Sequence, residues 1–149
     1  MVDLKSKPFY LSDEDVKWVR STLGSMSLKE KAGQVFCPMG FSSDPLVLKH
    51  LLCDIGVGGI MYRPGPAAEI QSTHRLIQDM AEIPLLIAAN TENGGDGLAF
   101  EGTSFGRPMA AAAAGGAGYA YRMGAAACAE GAALGLNWSF APIADINMD

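Results

Sequence analysis

The chain is 149 residues long, 49% hydrophobic and 18% charged, and its 11 basic and 16 acidic side chains give a formal net charge of −5 at pH 7. That apolar content suffices for one ordinary core and excludes disorder. The acidic balance, with no long basic run, excludes an electrostatic footprint for DNA or RNA.

Met1 to Tyr10 lacks the apolar segment and small-residue cleavage site of a secretory signal. Ser12 opens the first helix: its hydroxyl can accept from the backbone N–H three residues on, and Leu11 and Val16 occupy staple positions. Val16, Val19 and Leu23 form an apolar stripe that Gly24 ends. Ser27-Leu-Lys-Glu30 is a second capping box and begins a short helix through Lys31 and Ala32. Val35, Phe36 and Met39 mark the first strand.

Asp44 to Cys53 predicts a helix with Leu48, Leu51 and Leu52 inward, and Gly56 to Gly59 turns the chain into a strand at Ile60-Met-Tyr62. Pro64-Gly-Pro66 breaks that strand. Ala67 to Glu82 is the clearest amphipathic helix, with Ile70, Thr73, Ile77 and Met80 on one face and Glu69, Gln78 and Asp79 off it. Pro84 to Ala89 is a fully apolar run of strand length, followed by a Gly-rich loop from Asn90 to Arg107.

The Ala-rich stretch from Met109 to Leu134 carries Arg122, Glu130 and glycines at 115, 116, 118, 124 and 131. It reads as a tightly packed helix of a soluble protein, not as a membrane span. Gly135 stops it. From Asn137 to Met148 the pattern is a buried strand that delivers Asp145, Asn147 and Asp149 at its C-terminal end. The order β–α–β–α–β–α–β, with short and uniformly apolar strands, predicts parallel strands buried on both faces. An α/β barrel or open α/β sheet with ligand groups at the strands' C-terminal rim follows.

Several chemistries are excluded by spacing. Gly116-Ala-Gly118 and Gly95-Asp-Gly97 complete no dinucleotide fingerprint, and neither a phosphate-binding loop nor a Gly-x-Ser-x-Gly elbow occurs. His50 and His74 lie in predicted helices without a nearby cysteine or second histidine, so they read as surface or packing residues. Cys37, Cys53 and Cys128 form no Cys-x-x-Cys pair and read as buried thiols of a cytoplasmic protein. No metal and no cofactor is expected.

Two places remain. Asn90-Thr-Glu-Asn-Gly-Gly95 sets an amide and a carboxylate at a strand's C-terminal end, ahead of glycines that admit close backbone approach to a ligand. Such groups suit sugar hydroxyls, which need donors and acceptors; the alternative is a loop stabilised by its own Asx turns. Asp145, a carboxylate among apolar neighbours, must meet donors from the protein or from a ligand.

The order of four segments resembles glycoside hydrolase family 3: Ser27-Leu-Lys-Glu-Lys-Ala-Gly-Gln-Val-Phe36, Ile55-Gly-Val-Gly-Gly-Ile60, Ile83-Pro-Leu through Asn90-Thr-Glu-Asn-Gly-Gly95, and Gly135-Leu-Asn through Phe140-Ala-Pro-Ile-Ala-Asp-Ile-Asn147. The resemblance runs from about residue 12 to the end. It implies the first half of an N-terminal TIM (β/α)₈ barrel, with about four parallel strands and flanking helices. Residues 1–26 are then a helical lead-in and residues 27–149 the barrel half, truncated at its fourth strand. Asn90 stands where the family carries a sugar-binding Asp, one residue is inserted before Gly94-Gly95, and no Arg follows the glycines closely.

The resemblance further implies a retaining β-glycosidase, of β-glucosidase or β-N-acetylhexosaminidase type, that hydrolyses terminal O-glycosidic bonds. Its nucleophilic Asp and its Lys-His sugar-binding pair come from strands beyond the fourth, so no catalytic residue is assigned here. Asn90, Glu92 and Asp145 are the expected substrate-binding residues. Since a closed barrel takes about 250 residues, the expected partner is a complementary C-terminal half or a second copy of the chain; membrane and nucleic acid are not expected partners. The alternative is a non-catalytic carbohydrate-binding or assembly module derived from a half barrel.

Overall fold

The computed structural model describes residues 2–40 and 42–144. Asp145, Asn147 and Asp149 lie outside them. Helix α1 spans Asp13–Ser25 and α2 spans Leu28–Gly33. Both start from the capping boxes read in the sequence: the Ser12 Oγ accepts from the Asp15 N–H and the Asp15 carboxylate accepts from the Ser12 N–H, each at 3.2 Å. Ser27 and Glu30 repeat the arrangement at 3.2 and 2.6 Å. Gly24 lies inside α1, one residue before its end. Of the predicted stripe only Val16 is buried, and Leu23 is exposed.

Strand β1, Met39–Gly40, begins later than Val35 and Phe36, which are exposed. The Phe36 carbonyl is occupied by the Gly58 and Gly59 N–H groups, so this segment braces the turn before the next strand instead of pairing along it. Helix α3, Pro45–Lys49, capped by the Asp44 carboxylate, widens into π-type turns over His50–Ile55 and ends at Gly56 in the left-handed region. Strand β2 is Gly59–Tyr62, α4 is Ala67–Met80 and β3 is Leu86–Ala89.

The long Ala-rich helix expected from Met109 to Leu134 is two helices, α5 (Pro108–Ala113) and α6 (Ala117–Ala133). Gly115 and Gly116 adopt φ of 78° and 104°, which break the helical path and which side-chain-bearing residues rarely adopt. The expectation of tight packing also fails: among the described residues only Ala127 and Gly131 of α6 are buried. No helix among them is long and apolar enough to cross a membrane.

Strand β4 is only Trp138–Ser139. No ladder is described after the Phe140 N–H bond to Ala89: the Ser139 Oγ accepts from the Ala141 N–H at 3.0 Å, and Pro142 has no N–H to give.

The four strands are parallel and lie in chain order, β1-β2-β3-β4. Ile60 pairs with Ile87, so Ile60, Tyr62, Ile87 and Ala89 share one face, where they form the core with Leu48 of α3 and Ile70 and Ile77 of α4. Met39, Met61, Ala88 and Trp138 form one row across the opposite face. Parallel strands without a reversal of order, helices packed on one face and an apolar second face make one arc of a (β/α) barrel.

Two amides stitch the arc together. Gln78 of α4 donates to the Leu85 carbonyl and accepts from the Leu85 N–H, both at 3.0 Å. Asn137 accepts from the Ile87 N–H at 2.7 Å and donates to the Leu85 carbonyl at 2.9 Å, extending the β3–β4 ladder with a side chain.

Candidate functional site

The C-terminal ends of β2 and β3 open onto a hollow of about 330 Å³, lined by Tyr62, Arg63, Asn90, Glu92, Asn93 and Asp96 among others. Asn90 and Glu92, the binding residues expected from the sequence, are therefore together. The hollow owes its floor to the loop that leaves β3. Gly94 N–H donates to the Thr91 carbonyl, and a short 3₁₀ turn over Gly95–Gly97 brings Gly97 against the Asn90 carbonyl. A Cβ at Gly97 would lie 1.5 Å from that oxygen, so the turn closes only with glycine there.

Neighbouring elements hold the loop from both sides. Leu98, fully buried, ties it to the core, and Gly65 and Ala99 form a bridge to the segment after β2. The Glu101 carboxylate accepts from the Ala67 N–H at 2.9 Å, at the first turn of α4, where Pro66 offers no side-chain cap. From α6, Glu130 accepts from the Thr103 N–H at 2.8 Å and from the Thr103 hydroxyl. These bonds hold the Glu130 carboxyl below its usual range. Gly95 makes room for that carboxylate: a Cβ would stand 1.9 Å from its Oε2. The buried Thr91 hydroxyl, 2.7 Å from the Ser139 hydroxyl, joins the loop to the end of β4.

The side chains that face the hollow are not used up by these contacts. Asn90, Glu92 and Asn93 form no side-chain hydrogen bond among the described residues, and Asx turns do not account for them. The Asp96 Oδ1 is buried and unpartnered there. The arrangement offers carboxylate acceptors, amide groups that both donate and accept, and one guanidinium donor, the set that a polyhydroxylated ligand requires. Glu92 also borders a second, mostly apolar hollow of about 600 Å³ between α5, α6 and the end of β4.

Arg63, Asn93 and Asp96 were not singled out from the sequence as binding residues. Arg63 directly follows the last residue of β2, as Asn90 follows the last of β3. By its place at a strand end, Arg63 qualifies on the same ground as Asn90. Of the three cysteines, expected to be buried, Cys37 is half-buried while Cys53 and Cys128 are exposed. Cys53 sits on the outer turn after α3 and Cys128 on the sparsely covered α6, where local apolar neighbours in sequence do not translate into burial.

Residues 27–149 match the family model described as Glycosyl hydrolase family 3 N terminal domain. A Beta-N-acetylglucosaminidase/beta-glucosidase of Cellulomonas fimi is 41% identical over 149 residues, which are 100% of this chain and 26% of that protein. Among solved structures, Beta-glucoside phosphorylase BglX bound to 2FGlc is 36% identical with a TM-score of 0.90, over 98% of this chain and 27% of that one. A second structure, titled Beta-glucoside phosphorylase BglX, gives 39% identity and a TM-score of 0.87 over 98% and 26%. The chain thus spans about a quarter of the length of these relatives.

Proposed function

Because this chain belongs to glycoside hydrolase family 3, within its N-terminal domain, we propose that it forms the sugar-binding rim of a retaining enzyme acting on terminal β-glucosides or β-N-acetylglucosaminides. The observation that carries this reading is the hollow at the ends of β2 and β3, which Asn90 and Glu92 line with no side-chain hydrogen bond among the described residues. Asp145 belongs to the same proposal on its position in the sequence alone.

Retaining chemistry uses two carboxyl groups about 5–5.5 Å apart, one a nucleophile and one an acid/base, through a covalent glycosyl-enzyme. In this proposal the chain orients the sugar, the nucleophile comes from a later strand of the barrel, and the acid/base also comes from outside this chain. The names of the C. fimi relative support both sugars. The two solved relatives, both named as beta-glucoside phosphorylases, favour a second reading for the second half of the reaction, with phosphate in place of water as the acceptor. Three unpaired cysteines support a reducing, cytoplasmic location.

The test is an assay of the complete protein on 4-nitrophenyl β-D-glucoside and its N-acetylglucosaminide counterpart, with and without inorganic phosphate. Release of nitrophenol is expected from at least one, and Glu92→Gln is expected to lower kcat/KM by about 10-fold or more, the loss of a hydrogen bond to a charged group. Cleavage of neither substrate would remove the proposal. Sugar phosphate as the product would select the second reading over hydrolysis.

A further inference from the structure

Arg63 reaches the hollow from the end of β2 and Asp96 from the turn after β3, so the two approach it from separate elements. The Arg63 Nε lies 3.2 Å from the Met39 Sδ, which steadies the stem across the end of β1. A thioether is a weak acceptor, and the guanidinium has no other hydrogen bond among the described residues. No carboxylate lies within ion-pair distance of it there. Asp96 presents the converse: its carboxylate lines the hollow, and its buried Oδ1 has no donor among the described residues. A guanidinium and a carboxylate that share one hollow, neither met by a charged partner among the described residues, leave a gap that a ligand with both donors and acceptors would bridge.

Charge decides which ligand. Among the groups this chain contributes, Glu92 and Asp96 set two carboxylates against the single guanidinium, so a phosphate or an acidic sugar would face more like charge than opposite charge at this end of the site. A neutral sugar carries hydroxyls that accept from Arg63 and donate to Asp96 at no electrostatic cost. The volume, about 330 Å³, lies at the small end of ligand pockets, about 300–1,000 Å³, and suits one sugar ring.

We propose that Arg63 and Asp96 are positioning residues that fix a neutral terminal sugar by separate hydroxyls, Arg63 as donor and Asp96 as acceptor. This rests on the glycosidase reading above and deepens it by naming two residues and the charge class of the sugar. Any phosphate used by the protein then binds elsewhere.

The experiment measures kcat/KM in the complete protein for an aryl β-glucoside and its monodeoxy analogues, comparing the parent with Arg63→Gln and Asp96→Asn. Each variant is expected to lose about 10- to 100-fold on the glucoside, the worth of a hydrogen bond to a charged group. That loss should collapse toward none for one particular deoxy analogue, different for the two variants, because the hydroxyl held by the missing group is already gone. Thermal melting of each variant, expected to match the parent, separates this from misfolding, as does the pattern itself: a damaged fold penalises every analogue equally. A uniform loss across the analogues, or no loss on the glucoside, overturns the assignment while leaving the glycosidase reading intact. A parent that cleaves none of the glycosides overturns both.

Discussion

His74 is 2% exposed, packed against the Tyr62 ring at a centroid distance of 5.5 Å and under the turn that ends α6. Its Nδ1 lies 2.7 Å from the Leu134 carbonyl oxygen, so Nδ1 carries the proton and donates. The Nε2 is then a buried lone pair with no partner among the described residues. Burial lowers the pKa of this histidine below 6.5, opposed by the bond to Leu134. A depressed histidine favours the fold most where the unfolded chain is also neutral. Stability should therefore be full above about pH 6.5 and fall as the pH drops below it, by up to about 1.4 kcal/mol per pH unit. His74→Phe is expected to flatten this slope in urea midpoints measured between about pH 5 and 8, while lowering stability at neutral pH because the Leu134 carbonyl loses its donor. An unchanged slope would show that some other group controls the acid side. The sequence allowed a surface or packing role for this histidine, since it lies in a predicted helix with no cysteine or second histidine near it. It could not disclose a partner 60 residues away, nor the matching work of Asn137, which reads as an ordinary polar residue until β3 and β4 are side by side.

Elements whose signals are local were legible and those built from distant contacts were not. The two capping boxes are complete within three residues of sequence, and both helix starts match their prediction. The apolar run before Asn90 gives β3 for the same reason. The π-type turns after α3 and the brevity of β4 depend on tertiary fit and left no periodic mark. The loop from Gly94 to Thr103 belongs to this second kind: its glycine content was plain, but the carboxylate that holds it comes from α6. Glu130→Ala removes both bonds to Thr103 and should speed amide hydrogen exchange across the loop at neutral pH, with a loss of about 1–2 kcal/mol of local stability. Because the Glu130 carboxyl sits below its ordinary value, its contribution is present above the usual carboxylate range and disappears as the pH falls through the depressed value. Parent and variant loops should thus converge in acid. Equal exchange at neutral pH would mean that Leu98 and the Gly65–Ala99 bridge hold the loop unaided.

At the scale of the molecule, uniformly apolar strands announced a sheet covered on both faces, and the structure covers one. The core of Ile60, Ile87, Ile70 and Ile77 lies between sheet and helices, while the opposite face is covered only at Ala88 and leaves Met39 38%, Trp138 39% and, beside Gly59, Leu86 49% exposed. Apolar surface of this extent favours association, and the relatives are about four times as long as the portion they share with this chain. Produced alone, the 149-residue chain is expected to self-associate in sedimentation and to bind a hydrophobic dye. Met61→Lys and Trp138→Lys should each weaken association while the chain still folds at low concentration, because neither side chain contributes to the core cluster. Where a complementary half closes the barrel, the same lysines should destabilise, since closure would bury an unpaired charge against that face. The contrast between the two settings is the informative part: a lysine tolerated in both would mean that this face stays open to water in the whole protein, and a chain that sediments as a monomer and binds no dye would mean that its apolar row is not sticky enough to need a cover.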